Sequence, residues 1–574
     1  MNRVRLAACV SVCLCLSIAN AKDWSRFRGP HGTGKSNSSL PVSWTPTANV
    51  AWKAVIPGAG VSSPIVVGER VLVTCYSGYG LDREDPGDIK DLKRHLVCFD
   101  AATGNQQWQK DIDAALPEDP FSGIGVTAHG YASHTPVSDG QTVFAYFGKS
   151  GAFAFDLLGY QLWQASLGTE SDPWAWGSSS SPIVYEDLLI VTASAESQAI
   201  VGLDKSTGKE VWRQEAGGLD GMWGTPTLVK IDNNRTDLVL SVPREIWGLD
   251  PKNGKLRWFC EATGAEQTHS SPAVDGQMVF AFTGRGGGSI AVKAGGNGDV
   301  TKSAVEWTGR DSARFGSPVS DPEHLYLVAN GVLSVIDRNS GEKVKQTRLR
   351  GGGSGGGRSR FGGSDYASPL IAGDKLYYVN GKGETFVFGL GDDPKQLSIN
   401  LVTTDNETFG GTPAVSNDRM FIRSNKHLYC VADTGATVEP NASASLIDKP
   451  EADESFDGDQ ARGRSRFGGG RRGGGRGRGG FDPSAIFKSR DKNSDAKLTA
   501  DELAGSPLAD RFAEIDKDGD KAITMQEFQS GLQNAFGGGR GGRGGGRGGR
   551  GGFGRGGGGD DKRPERPQRP QLAG

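Results

Sequence analysis

Short apolar runs rich in Val, Ile, Leu and aromatic residues recur along this chain, separated by Gly, Asp, Asn and Pro. Eight of them follow a Ser/Thr-Pro step, at Pro64, Pro136, Pro182, Pro226, Pro272, Pro318, Pro369 and Pro413. The residue before that Ser or Thr is small in seven cases, His134 being the exception. Successive prolines lie 72, 46, 44, 46, 46, 51 and 44 residues apart. Apolar runs bounded by turn residues read as strands. A repeat in the mid-forties corresponds to one four-stranded propeller blade. The pattern therefore predicts an all-β, eight-bladed propeller.

The third repeat shows the unit. Residues 183–185, 188–192 and 199–203 read as strands, and Val211-Trp212 opens a fourth. Asp204 to Gly208 is a tight turn in which Gly takes the positive φ. The same Asp…Gly…Trp unit recurs at Asp100, Gly104 and Trp108, at Asp156, Gly159 and Trp163, and at Asp250, Gly254 and Trp258. A Trp at a fixed place on the outer strand supplies the large apolar plug that adjacent blades need. Trp307 is expected to fill this place in the fifth blade, whereas the sixth has Lys345 and the seventh no Trp. The eighth repeat ends one strand short, near Tyr429-Cys430-Val431, and a spare strand, Val50–Val55, precedes the first. Joining the two closes the ring and removes its open edges. The long first spacing is an insertion at 76–94, polar enough to be expected as a surface loop.

The Ser-Pro strands, the Asp-x-x-Thr-Gly-x-x-x-Trp turn and the ring closure resemble the PQQ-type repeat propellers, over residues 23–435. Phe27-Arg28-Gly29-Pro30, Gly130-Tyr131-Ala132-Ser133 and Trp176-Gly177-Ser178-Ser179 resemble an exported bacterial branch of that group. The group contains quinoprotein dehydrogenases and non-enzymatic scaffolds of the BamB type. The resemblance implies a binding or scaffold protein of the envelope, with an envelope protein, peptide or carbohydrate as partner. The alternative it implies is a quinone-dependent (PQQ) oxidoreductase acting on alcohols or sugars. The adjacent Cys-Cys pair that many quinoprotein dehydrogenases carry is missing, and no Glu/Asn/Asp calcium set stands out in the blades. PQQ is therefore not expected. No Ser-His-Asp or zinc-ligand spacing stands out either.

One position in the repeat offers candidate chemistry. Innermost strands of a propeller begin near its central channel, and the third residue before each proline stands there: Val61, Ser133, Ser179, Trp223, His269, Phe315, Tyr366 and Gly410. Four consecutive blades supply an aromatic or His. Trp223, His269, Phe315 and Tyr366 are thus a candidate half-ring mouth for a planar ligand, sugar or peptide. The alternative is ordinary packing where the strands start.

Outside the blades the composition changes the picture. Residues 1–21 read as a signal peptide, with Arg3 and Arg5, an apolar stretch at 6–18 and an Ala19-Asn20-Ala21 cleavage site. Export to the periplasm or beyond follows. Leu6-Ala7-Ala8-Cys9 has a lipoprotein-box pattern but stands at the start of the apolar run, not after it. No later run reaches the ~20 apolar residues of a membrane span. Of the seven Cys, Cys75, Cys98, Cys260 and Cys430 remain in the mature chain. Cys75 and Cys98 fall in neighbouring strands, where they form a bridge or two small buried hydrophobes. Gly29 to Ser36 fits the pattern G-x-x-x-x-G-K-S but lacks the strand and helix that make a phosphate cradle, so it reads as a plain loop.

The formal net charge of −2 excludes a polyanion binder for the chain as a whole. Residues 22–445 are assigned to the propeller and 446–481 to an acidic, then Arg/Gly-rich linker. Residues 482–534 are assigned to a small helical domain and 535–574 to an Arg/Gly/Pro tail. The Arg/Gly tracts contain few aromatics for base stacking, namely Phe467 and Phe553. They read as flexible cationic segments, with no nucleic-acid partner expected and weak adhesion to anionic surface polymers as the alternative. The helical domain carries two EF-hand loops. Asp491, Asn493, Asp495, Lys497, Thr499 and Glu502 stand at ligand positions of the first. Asp516, Asp518, Asp520, Ala522, Thr524 and Glu527 stand at those of the second. Ca²⁺ takes six to eight such oxygens, with the backbone carbonyl serving at position 7 and a bidentate Glu at position 12. Leu498 and Ile523 supply the aliphatic at position 8, and Phe487 and Phe512 precede the loops on the incoming helices. The departure is position 6, where Ala496 and Lys521 replace the usual Gly.

Overall fold

The computed structural model describes residues 23–439 except 123–124, 263, 285–286 and 350–365. Beyond them it describes 495, 497–499, 512–517, 519–525, 527–528 and 566. The segment 1–21 expected as a signal peptide, the 446–481 segment and most of the tail lie outside the described residues.

Each Ser/Thr-Pro step begins an innermost strand. In the third blade Ile183–Tyr185, Leu188–Ala193, Ala199–Asp204 and Glu210–Glu215 follow one another in up-and-down antiparallel order. Six other blades repeat this order. The eighth is built from Ala414–Ser416, Arg419–Arg423 and His427–Val431, completed by Val50–Val55. Val50 pairs with Val431 and Val55 with His427. The molecule is thus an eight-bladed propeller closed by its N-terminal strand.

A polar girdle explains the residue before each proline. The backbone N–H of Ser63 donates to Thr135 Oγ1, that of Thr135 to Ser181, and so on through Thr225, Ser271, Ser317, Ser368 and Thr412, at 2.9–3.0 Å. Each hydroxyl satisfies a buried donor in the preceding blade. Only Ser or Thr is short enough to do so without filling the channel.

A second lock sits on the outside of the blades. Indole N–H groups of Trp52, Trp108, Trp163 and Trp307 donate to carbonyls in the turn of the next blade, at Ala101, Leu157, Lys205 and Arg338. The turn glycine lies against the same indole: a Cβ at Gly208, whose φ is +72°, would stand 2.6 Å from Trp163. Between these locks the apolar faces interdigitate. Phe144, Tyr146 and Trp163 of the second blade pack on Leu189, Val191 and Val201 of the third.

Several expectations resolve differently in space. The insertion is not merely a polar surface loop. The strands Arg70–Ser77 and Lys93–Asp100 reach into its two ends. Tyr76, Tyr79 and Leu92 then bury against Val126 and Tyr131 in a small core of their own. Cys75, Cys98, Cys260 and Cys430 are free and buried. Cys75 pairs across the sheet with His95, and Cys98 with Leu72, so no bridge joins them, and burial pushes both thiols up to about 12. The phosphate-loop look-alike ends in a two-residue strand, Lys35–Ser36, laid parallel on Leu370–Ala372.

In the C-terminal unit Lys497–Leu498 pairs antiparallel with Ile523–Thr524, putting Leu498 opposite Ile523. Leu498, Ile515, Ile523 and Phe528 form its core. One tail residue, Arg566, belongs with the propeller. Its guanidinium pairs with both oxygens of Glu245 and lies 3.5 Å from the centre of the Phe259 ring. Among the described residues no helix is long and apolar enough to cross a membrane.

Candidate functional site

The central channel opens into a cavity of about 900 Å³. Strand periodicity builds it. Residues one and three before each proline share a face because side chains alternate along extended backbone. All eight residues of the first kind and all eight of the second line the cavity. The lower ring is the Ser/Thr girdle. The upper ring is small on one side, with Val61, Ser133, Ser179 and Gly410, and large on the other, with Trp223, His269, Phe315 and Tyr366.

The large side is a continuous wall of rings. Trp223 and His269 stack with centroids 4.8 Å apart and planes 8° apart. His269 meets Phe315 edge-on at 5.2 Å, and Phe315 leans on Tyr366 at 4.5 Å. Trp174 and Trp176 extend the wall beyond Trp223, at 5.9 and 5.5 Å. The indole N–H of Trp223 donates to Gly177 O at 2.7 Å, which fixes the ring's tilt. Over the small side lie Thr127, Ala128 and His129. His129 Nε2 donates to Trp176 O at 2.9 Å, so Nδ1 accepts the Ser133 hydroxyl at 2.6 Å.

The wall is neutral at neutral pH. Burial, with the Arg314 charge nearby, lowers His269 to about 4, and burial also holds His129 below the usual imidazole range. Charge sits at the rim. The Arg314 guanidinium lies 5.0 Å over Phe315. Glu266 is paired with Arg244 at 3.2 Å and 80% exposed. Glu266 is the one carboxylate among the described lining residues.

The floor is Phe27. A tight turn, in which Gly29 N–H donates to Arg26 O at 3.0 Å, presents its ring to the cavity. Arg26 and Arg28 flank it, donating to the carbonyls of Pro226 and Pro318.

Trp174, Trp176, His129, Arg83, Arg314 and Phe27 are lining residues that the repeat did not point to. A Trp-Ala-Trp cluster in an otherwise polar connection was the available signal. In the C-terminal unit Glu527 accepts from Lys517 N–H at 3.1 Å and from Thr524 N–H at 2.9 Å, and Asp516 accepts from Gly519 and Lys521 N–H at 2.8 and 3.0 Å. Lys521 adopts φ +65°, the conformation Gly usually supplies there. Asp495, Lys497, Thr499, Asp520, Ala522 and Thr524 are also described. Asp491, Asn493, Glu502 and Asp518 lie outside the described residues. Among the described residues no three His, Cys, Asp or Glu side chains converge as a metal cluster.

Residues 40–239 and 196–438 match the family described as outer membrane protein assembly factor BamB. No curated protein matches the chain. Among solved structures, BamB from Moraxella catarrhalis is similar at 13% identity and a TM-score of 0.46, covering 68% of this chain and 100% of its own. A europium-containing methanol dehydrogenase is similar at 12% identity and 0.44, covering 70% and 89%. The quinohemoprotein alcohol dehydrogenase from Comamonas testosteroni is similar at 11% identity and 0.37, covering 74% and 82%.

Proposed function

We propose, for a chain that belongs to the BamB family of outer membrane protein assembly factors, that it is an exported, non-catalytic binding propeller. The observation that carries this reading is the wall of six rings from Trp174 to Tyr366 along one side of a 900 Å³ cavity. Such a wall grips flat apolar faces, either those of sugar rings or of aromatic side chains in an envelope peptide. The small side and the hydroxyl floor leave room and hydrogen bonds for the ligand's polar edge. The one hydroxyl–imidazole contact among the described lining residues, Ser133 with His129, has the Trp176 carbonyl rather than a carboxylate behind the imidazole. The C-terminal pair of loops is a calcium module in this reading. Supporting it are the antiparallel contact at Leu498 and Ile523, Asp516 and Glu527 folded over the second loop, and the left-handed Lys521.

Tryptophan fluorescence during titration with soluble oligosaccharides and aromatic peptides tests the binding reading. Saturable quenching lost in Trp223→Ala is the expected result. Incubation with PQQ and Ca²⁺, followed by absorbance and dye-linked alcohol oxidation, tests the alternative. Stoichiometric quinone binding with turnover would replace the scaffold reading by the oxidoreductase one.

A further inference from the structure

Two arginines enter the propeller axis without a counter-charge. Arg26 is 6% and Arg28 1% exposed. Arg26 donates to Pro226 O at 3.3 Å, and Arg28 to the carbonyls of Pro318 and Thr33. These partners are neutral. Among the described residues neither guanidinium is paired with a carboxylate. Arg26 Nε, Arg28 Nε and Arg28 Nη1 are buried donors with no acceptor. Burial lowers the pair to about 10 and 9, the second helped by repulsion from the first. Both therefore stay charged at neutral pH. A buried, uncompensated charge is costly, and a donor left without an acceptor adds about 1–3 kcal/mol. Among the described residues Arg94 pairs with Glu118, whereas Arg423, 1% exposed, also has only neutral partners, Ser62 and the carbonyls of Thr74 and Ser424, and an orphaned Nη2.

The surrounding backbone is shaped around these groups. Gly32 and Gly34 have φ of +68° and +73°, and a Cβ on them would stand 3.4 Å from Arg26 Nη2 and 3.1 Å from Arg28 Nη2. The two left-handed glycines thus let the loop close on the guanidinium edges, where a side chain would crowd them.

We propose that Arg26 and Arg28 form a binding site for a small monovalent anion of chloride size in the propeller axis, beneath Phe27. The anion neutralises one of the two charges and takes the unspent N–H donors. It thereby fixes the turn that presents Phe27 to the cavity above. This site is separate from the aromatic wall, and neither reading depends on the other.

Crystals of the full mature chain grown in sodium bromide give the direct test. An anomalous peak between the two guanidiniums is expected. Bromide only at surface positions would overturn the proposal. In solution, thermal unfolding is followed while chloride replaces gluconate at constant ionic strength. Chloride that binds the folded state should raise the midpoint on the order of 2 °C at ten times its Kd. Arg28→Met keeps the length and removes the charge, and its midpoint should not depend on anion identity. Should that variant fail to fold, Arg26→Met serves the same purpose. A wild-type midpoint indifferent to the anion would also overturn the proposal.

Discussion

Replacing Trp52 by Ala tests whether the ring is held shut by its outer locks. Trp52 is 9% exposed, packs on Phe421 with centroids 5.8 Å apart, and donates its indole N–H to Ala101 O at 3.1 Å. It stands on the strand that the N-terminus lends to the last blade, and it reaches into the first. Large-to-small replacement of such a residue costs about 3–5 kcal/mol. Trp52→Phe separates the parts. Arg419 Nη1 also donates to Ala101 O, at 2.9 Å, so losing the indole leaves no orphaned carbonyl. The bond's share should then be near the low end of about 0.5–1.5 kcal/mol. Gly104→Ala approaches the same contact from the other side. Its φ is +74°, and a Cβ would sit 2.7 Å from the Trp52 ring. The left-handed backbone alone costs about 1–2 kcal/mol, and the clash adds to that. In the Trp52→Ala background the clash disappears. The double variant should therefore be less destabilised than the sum, by about 1 kcal/mol or more. Urea unfolding followed by circular dichroism measures all four proteins. A Trp52→Ala cost under about 1 kcal/mol, or strict additivity with Gly104→Ala, would refute the lock.

Thr225→Val leaves the Ser181 N–H without its acceptor inside the girdle, and a loss of about 1–3 kcal/mol is expected in the same unfolding assay. His134 is buried and lowered to about 3. Its native pKa lies below the unfolded value of about 6.5, so its contribution is full above pH 6.5 and is lost as pH falls. Between pH 7 and 5 that loss is about 2 kcal/mol, and His134→Gln should flatten the stability profile by this amount. For the calcium module, calorimetry on the full chain should show weak binding, with Kd about 10⁻⁴–10⁻³ M. Glu527→Gln should abolish the second loop's share without moving the propeller's unfolding, and absence of heat at millimolar Ca²⁺ would mean the loops are degenerate.

What the chain reveals in one dimension is what repeats. The prolines count the blades, the turn glycines locate the outer tryptophans, and the third residue before each proline finds the cavity wall. All three follow from strand periodicity, which is local. Trp174, Trp176 and His129 escaped because they come from connections that occur once. Their conformation depends on what they rest against, such as the Trp176 carbonyl on His129. The segment 24–36 reads in the sequence as a plain loop. Its course through the propeller axis is nevertheless invisible in sequence, because Arg26 and Arg28 find their acceptors on blades two apart. The tail's composition likewise says nothing of Glu245, so the seat of Arg566 could not be read from it.

The closure by Val50–Val55 also sets a timetable. Asn49 hydrogen-bonds to Ala436 across 387 positions, and every rung of this strand pairs with a residue of the last blade. At roughly 5–20 residues per second, a newly made N-terminal strand waits on the order of 20–80 s for its partner to exist. Throughout that interval an unpaired, half-apolar edge is available to any other extended chain. No shorter version of the first seven blades escapes the problem, since each would leave the same strand without a mate. The molecule can finish folding only once its last blade has been made, and until then its beginning has to stay clear of other partners.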